Sequence, residues 1–240
     1  MISREIDLGG TIFRVIDLTH PLRLDQEVYP GDSRPQRKVF SDIQTDGWQY
    51  YLHELGDHHF QPHGDAPNHF VAGHQQAGFE KFGLDYAFHS AFLIDLSASV
   101  KTIVEDDIRF HVEITASDLV PYSQLLAEKG AVLLRTGYDR WLEANLPHDP
   151  QKIPYLTEDA ATLLASFPNL KVVGTDSITV DRHGDNIAHN LLVNMLIVEC
   201  MVHLHEIPNE RALYFDLQTS AIRIVGATGG PVLAYAFCRV

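Results

Sequence analysis

Cysteine is scarce in this chain. Cys200 and Cys238 are the only two in 240 residues, so no disulfide framework supports the fold and a reducing, cytoplasmic setting is expected. Positive charge is also in short supply. Lys and Arg total 18 against 32 Asp and Glu, a formal net charge of −14, which disfavours nucleic acid and anionic membrane surfaces as partners. The excess is read as general solubility. Long apolar runs are missing as well: "LLVNMLIVECMV" is too short to cross a bilayer and carries Asn194 and Glu199. The opening "MISREIDLGG" is charged and has no apolar core, so it is not expected to act as a secretory leader. No Gly-x-Ser-x-Gly elbow, phosphate-loop spacing, repeat or low-complexity tract occurs, and neither cysteine has a histidine placed to suggest a nucleophile.

The chain does have enough apolar residues, 45%, to bury one sizeable core, and one domain over residues 1–240 is expected. "TIFRVIDL", "WQYYLHEL", "SAFLIDLS", "AVLLRTG", "KVVGTDSITV" and "PVLAYAFCRV" read as strands, several of them continuous apolar runs suited to burial on both faces. Between them, "SDLVPYSQLLAEKG" reads as a helix starting at Ser117 or Pro121, and "LTEDAATLLASFP" as one capped by the Thr157 hydroxyl. Interleaved strands and helices predict an α/β fold. The rings of Trp48, Tyr50 and Tyr51 are expected in core packing, with a pocket wall as the alternative.

"HHFQPHGDAPNHF", residues 58–70, concentrates four histidines and an aspartate where a packed core gains nothing from them. His59, His63, Asp65 and His69 are spaced at even intervals, but an extended strand would hold His59 and His63 roughly 13 Å apart. A bend is therefore expected, with Pro62 and Pro67 fixing φ and Gly64 supplying angles barred to other residues. Imidazoles and a carboxylate without thiolates suit zinc or manganese in an open, catalytic site. His53, His58 and His74 carry no such argument. Glu199, among apolar residues, needs a partner or a metal unless it lies on an edge strand. Asp176 could form a turn or support a ligand histidine.

The stretch "HFQPHGDAPNHF" resembles the signature of the metal-dependent cyclase family, which includes bacterial kynurenine formamidases and isatin hydrolases. "IDLTHPL", "VYPGD", "FLIDLS", "LLRTGYD", "VVGTDSITVD", "AHNLL", "LIVECMVHLHEI" and "GATGGPVLAYAF" follow in that family's order. The resemblance implies a swivelling β/β/α domain with mixed sheets and flanking helices, assembled as a homo-oligomer, a dimer or tetramer. It implies one or two divalent ions, zinc or manganese, held by His59, His63 and Asp65, with His189 and Glu199 completing a second site. His69 matches the general acid/base. Gln61-Pro62 departs from the family's Gly-Thr. The implied activity is hydrolysis of an amide, N-formyl or lactam C–N bond of a small molecule, as in an arylformamidase or isatin hydrolase. A lyase working through an enolate and a non-catalytic binding protein are the alternatives.

Overall fold

In the computed structural model, residues 2–55, 62–73, 77–208 and 215–240 are described. Nine strands make the main sheet: β1 (Ser3–Leu8), β2 (Thr11–Asp17), β3 (His63–Asp65), β4 (Phe88–Asp95), β5 (Ala131–Arg135), β6 (Val172–Thr175), β7 (Leu196–Glu199), β8 (Phe215–Ala221) and β9 (Gly229–Arg239). Their order is β1-β2-β9-β8-β4-β5-β6-β7-β3, and β3 pairs with β9 as well. The sheet therefore curls round and closes on itself through three residues. β4, β5, β6 and β7 run parallel, and β3 is antiparallel to both of its neighbours. This is the mixed α/β architecture expected from the sequence.

The parallel strands read as unbroken apolar runs because both of their faces are covered. Ala91, Leu93, Ala131, Leu133 and Val198 point into the curled sheet, against Leu18, Phe79 and Met201. The alternate residues Phe92, Ile94, Val132, Leu134 and Ile197 face a helical layer. That layer includes α1 (Ser123–Glu128), α2 (Glu158–Ala165) and α3 (Ile187–Leu191), which contribute Leu126, Leu164 and Ala188. Just past the carboxyl ends of β5, β6 and β7, the buried side chains of Tyr138, Ile178 and Cys200 join Phe110 and Trp141 in a third cluster.

Several local expectations change. The helix over 117–129 is broken into Ala116–Leu119, a 3₁₀ turn at Val120–Tyr122, and α1. It is Thr115, in a reciprocal capping box with Asp118, that starts it. Helix α2 begins after Thr157 as expected, but the Thr157 hydroxyl donates to the Ile114 carbonyl at 3.0 Å instead of capping the helix amides. "WQYYLHEL" forms a strand at Tyr50–Glu54 that pairs with Gln36–Ser41, outside the main sheet. Trp48, Tyr50 and Tyr51 are exposed there, so core packing is the wrong reading of those rings. Residues 63–65 are extended, and Gly64 does not adopt a left-handed angle. Its role is close approach: a Cβ on Gly64 would lie 2.9 Å from the Phe79 ring and 2.7 Å from Leu196. Gly230, its register partner on β9, would meet the same ring at 2.6 Å.

Candidate metal centre

The strand period decides which side chains meet. Gly64 and Val198 face the interior of the curled sheet, so His63, Asp65 and Glu199 emerge together on the opposite face. His63 stands directly across from Glu199 in the β3–β7 register, and Glu199 lies on an internal strand, not on an edge. Helix α3, packed on that same face, brings in His189.

Four side chains converge there. His63 Nε2 lies 3.5 Å from Asp65 Oδ1 and 3.3 Å from Glu199 Oε2. His189 Nε2 lies 2.9 Å from Asp65 Oδ2 and 3.5 Å from Glu199 Oε1. None is more than 5% exposed. Sequence reading named all four; His58 and His59, among residues 56–61, and His74, among residues 74–76, lie outside the described residues. His53 lies on the exposed ribbon. His69, on the turn of helix Pro67–Phe70, lines the cleft that opens onto Asp65 and Glu199.

Burial and the neighbouring Asp65 push the Glu199 carboxyl up, while His63 and His189 pull it down. Burial opposes charge on His189, yet its hydrogen bonds to Asp181 and Asp65, helped by Glu199, prevail and raise it to about 10. On His63 burial acts the same way and is outweighed by Asp65, Cys200 and Glu199, which hold the ring well above the usual imidazole range. Two buried carboxylates side by side, each facing imidazole nitrogens, form a donor set that a divalent cation would satisfy. The ligand atoms of His63, Asp65 and Glu199 all lie within 4.8 Å of one another.

Two contributors were not legible in the sequence. Asp181 Oδ2 lies 2.5 Å from His189 Nδ1, and Asp181 Oδ1 accepts from the Ala188 amide at 2.6 Å. The carboxylate thus caps the first turn of α3 and orients its histidine in one stroke. Cys200, in a left-handed conformation with φ of 58°, is hydrogen-bonded to His63. A histidine does therefore face this cysteine, but burial pushes the thiol up and away from nucleophilic use. Among the described residues Asp176 supports no histidine. It accepts from the Thr136 amide at 2.9 Å and the Gly137 amide at 2.8 Å, tying the end of β5 to the end of β6. A further donor group, Asp139, Glu143 and His205, already holds a cation, since Arg135 Nε lies 3.6 Å from Asp139.

The cleft has a volume of about 220 Å³. Among the described residues its wall is formed by Asp65, Glu199 and Asp181 with Tyr29, Asp32, His69, Phe70, Ile178, Thr179 and Asp185. The Phe70 ring lies over His189 with centroids 4.0 Å apart.

Residues 16–182 match the model of the cyclase family, described as "Putative cyclase". The chain belongs to this family. His189 and Glu199 lie beyond the matched segment, and their place beside His63 and Asp65 comes from the fold. Cyclase-like protein 1 of Oryza sativa subsp. japonica is 29% identical over 239 residues, covering 96% of this chain and 80% of its own. Among solved structures, isatin hydrolase A from Labrenzia aggregata, bound to benzyl benzoate, has a TM-score of 0.75 at 20% identity. That match covers 95% of this chain and 94% of the other. Isatin hydrolase A from Ralstonia solanacearum gives 0.74 at 20%, over 94% and 92%. A "predicted metal-dependent hydrolase" from Bacillus stearothermophilus gives 0.70 at 22%, over 94% and 98%. These likenesses establish the fold. Among the described residues no helix is long and apolar enough to cross a membrane.

Proposed function

We propose that this cyclase-family chain is a metal-dependent hydrolase of an amide, N-formyl or lactam C–N bond in a small molecule. The observation that carries the reading is the convergence of His63 and His189 on Asp65 and Glu199, two carboxylates in the wall of a cleft that His69 also lines. Those four would hold one or two divalent ions, zinc or manganese, with His59 as a further ligand. When bound, such an ion supplies Lewis acidity towards a carbonyl and lowers the pKa of water towards about 7.

The protein's own groups do the rest. Asp181 fixes the His189 ring so that Nε2 faces the carboxylates. His69 delivers a proton to the departing nitrogen, which leaves poorly as an anion. Phe70, Tyr29 and Ile178 give the cleft apolar walls that suit an aryl or lactam ring. A cytoplasmic homo-oligomer is part of the same proposal. The ribbon carrying exposed Phe40, Trp48 and Tyr50 is the surface a second copy would cover, because two strands alone are marginal in water.

The test begins with elemental analysis of protein purified without chelator, followed by N-formyl and lactam substrates in ¹⁸O-labelled water. At least one divalent transition ion per chain and one solvent oxygen in the product are expected; product without solvent oxygen would mean lyase chemistry. His69→Asn should keep its metal and lose about 10²–10⁴-fold in rate, while His63→Asn should lose metal and activity together. Protein that binds neither zinc nor manganese would refute the reading.

A further inference from the structure

Beyond the metal centre, the cleft has a charge of its own. Its described wall contains five carboxylates, Asp32, Asp65, Asp181, Asp185 and Glu199, and neither lysine nor arginine. Asp65 and Glu199 belong to the proposed ion, and Asp181 is engaged by His189 and the Ala188 amide. That leaves Asp32 and Asp185 at the exposed rim. Neither makes an ion pair among the described residues; Asp185 receives only the Ile187 amide, at 3.4 Å.

The cations nearest in sequence are committed elsewhere. Arg34 pairs with Glu27. Arg182, in the same loop as Asp181 and Asp185, lies over the Tyr155 ring at 6.0 Å and lines a different cavity, together with Gln151 and Glu113. Tyr29 lines the same cleft as the rim and buried carboxylates, its hydroxyl 2.8 Å from His183 Nδ1. After burial, the causes that raise its phenol are Glu199, Asp32, Asp181 and Asp185, so the fields of all four overlap at that ring. An aromatic ring sharing one cleft with two carboxylates that have no ion-pair partner among the described residues is a setting that attracts an ammonium group.

We infer that the cleft selects substrates whose end remote from the scissile bond is cationic or neutral and turns away those bearing a carboxylate there, with Asp32 and Asp185 as the specificity-determining residues. The inference rests on the reading of the cleft as a metal-dependent hydrolase site. A carboxylate entering beside Tyr29 would meet two like charges, with no guanidinium or ammonium among the described wall residues to receive it. A protonated amine would find two acceptors and a ring face.

Three benzohydroxamates, anchored on the ion through the same head group, separate the two ideas by titration calorimetry on zinc-loaded protein. They differ only in the para substituent: aminomethyl, hydroxymethyl or carboxylate. The aminomethyl probe should bind tightest and the carboxylate weakest, with about ten-fold between successive members at low salt. The spread should narrow as ionic strength rises. In Asp32→Asn/Asp185→Asn the three affinities should draw together. Equal affinities in the unaltered protein, a preference for the carboxylate, or a spread that survives the double substitution would overturn the inference while leaving the metal reading intact. Binding of none of the three to zinc-loaded protein would overturn both.

Discussion

Asp181 and His189 form a carboxylate–imidazole pair with 2.5 Å between Oδ2 and Nδ1, and the other imidazole nitrogen faces Asp65. The pair sets which ring nitrogen carries the proton, and so which can serve an ion. In Asp181→Asn an amide replaces the carboxylate and the ring loses its anchor. Metal affinity should fall about 10–100-fold, read by competition against a chelator, with far-UV circular dichroism unchanged. Unaltered affinity would mean that Asp181 serves the helix alone.

Phe79 fills the interior behind the face that carries His63, Asp65 and Glu199, pressed on the Gly64–Gly230 pair. A methyl at either glycine must displace that ring. Gly230→Ala should cost about 1–3 kcal/mol in urea denaturation, as overpacking of a filled core does. Trimming the ring in Gly230→Ala/Phe79→Leu should recover part of the loss, because the two changes share one space. Strict additivity would show that the ring and the glycine do not compete.

Two histidines make the fold acid-sensitive independently of any metal. Burial, then His203, lowers His20 to about 4, and burial lowers His148 to about 4. His148 Nδ1 sits 2.8 Å from the Tyr138 hydroxyl, within hydrogen-bond distance. With folded values below the unfolded one near 6.5, the unfolded chain binds more protons between pH 6.5 and 4. Stability is therefore present above pH 6.5 and is lost as pH falls through that window. Chelator-treated His148→Gln should lose about 2 kcal/mol less than the parent between pH 7 and pH 5. An equal loss in both would place a charged His148 in the folded protein.

The ribbon of Gln36–Ser41 and Tyr50–Glu54 leaves Phe40 68% and Trp48 53% exposed. Phe40 and Trp48 each contact Tyr50, at centroid distances of 5.2 and 6.0 Å. Trp48→Ser/Tyr50→Ser should shift an oligomer towards monomer in sedimentation experiments without altering metal content. A parent protein that is monomeric at micromolar concentration would dispose of the assembly.

How much of this could be read in advance depended on how local the cause was. The runs around Phe92–Ile94 and Val132–Leu134 announced buried strands, since burial on both faces leaves an unbroken apolar signature. His63, Asp65 and Glu199 were visible because their chemistry has little structural use in a core, whereas His189 was reached only through the family resemblance. Asp181 was not, since its purpose exists only once a loop turns its carboxylate onto a helix that starts several residues later. The three-residue β3 was missed for a related reason: it is held extended by β7 and β9, and no propensity of its own marks it. The ribbon misled because aromatic-rich strands look alike whether they end up inside or outside a protein.

The closure of the sheet also sets an order of events. His63 pairs with Glu199 on β7 and with Pro231 on β9, partners that emerge from the ribosome long after it. Contacts so distant in sequence must await the loops that bring them together and the entropy those loops cost. The parallel strands and their helices can assemble beforehand, but the ring cannot shut until nearly the whole chain has been made. A nascent fragment ending before residue 189 holds at most two of the four converging side chains, and Glu199 comes later still, so a cell cannot load the centre early; any ion must arrive with, or after, the last turn of folding.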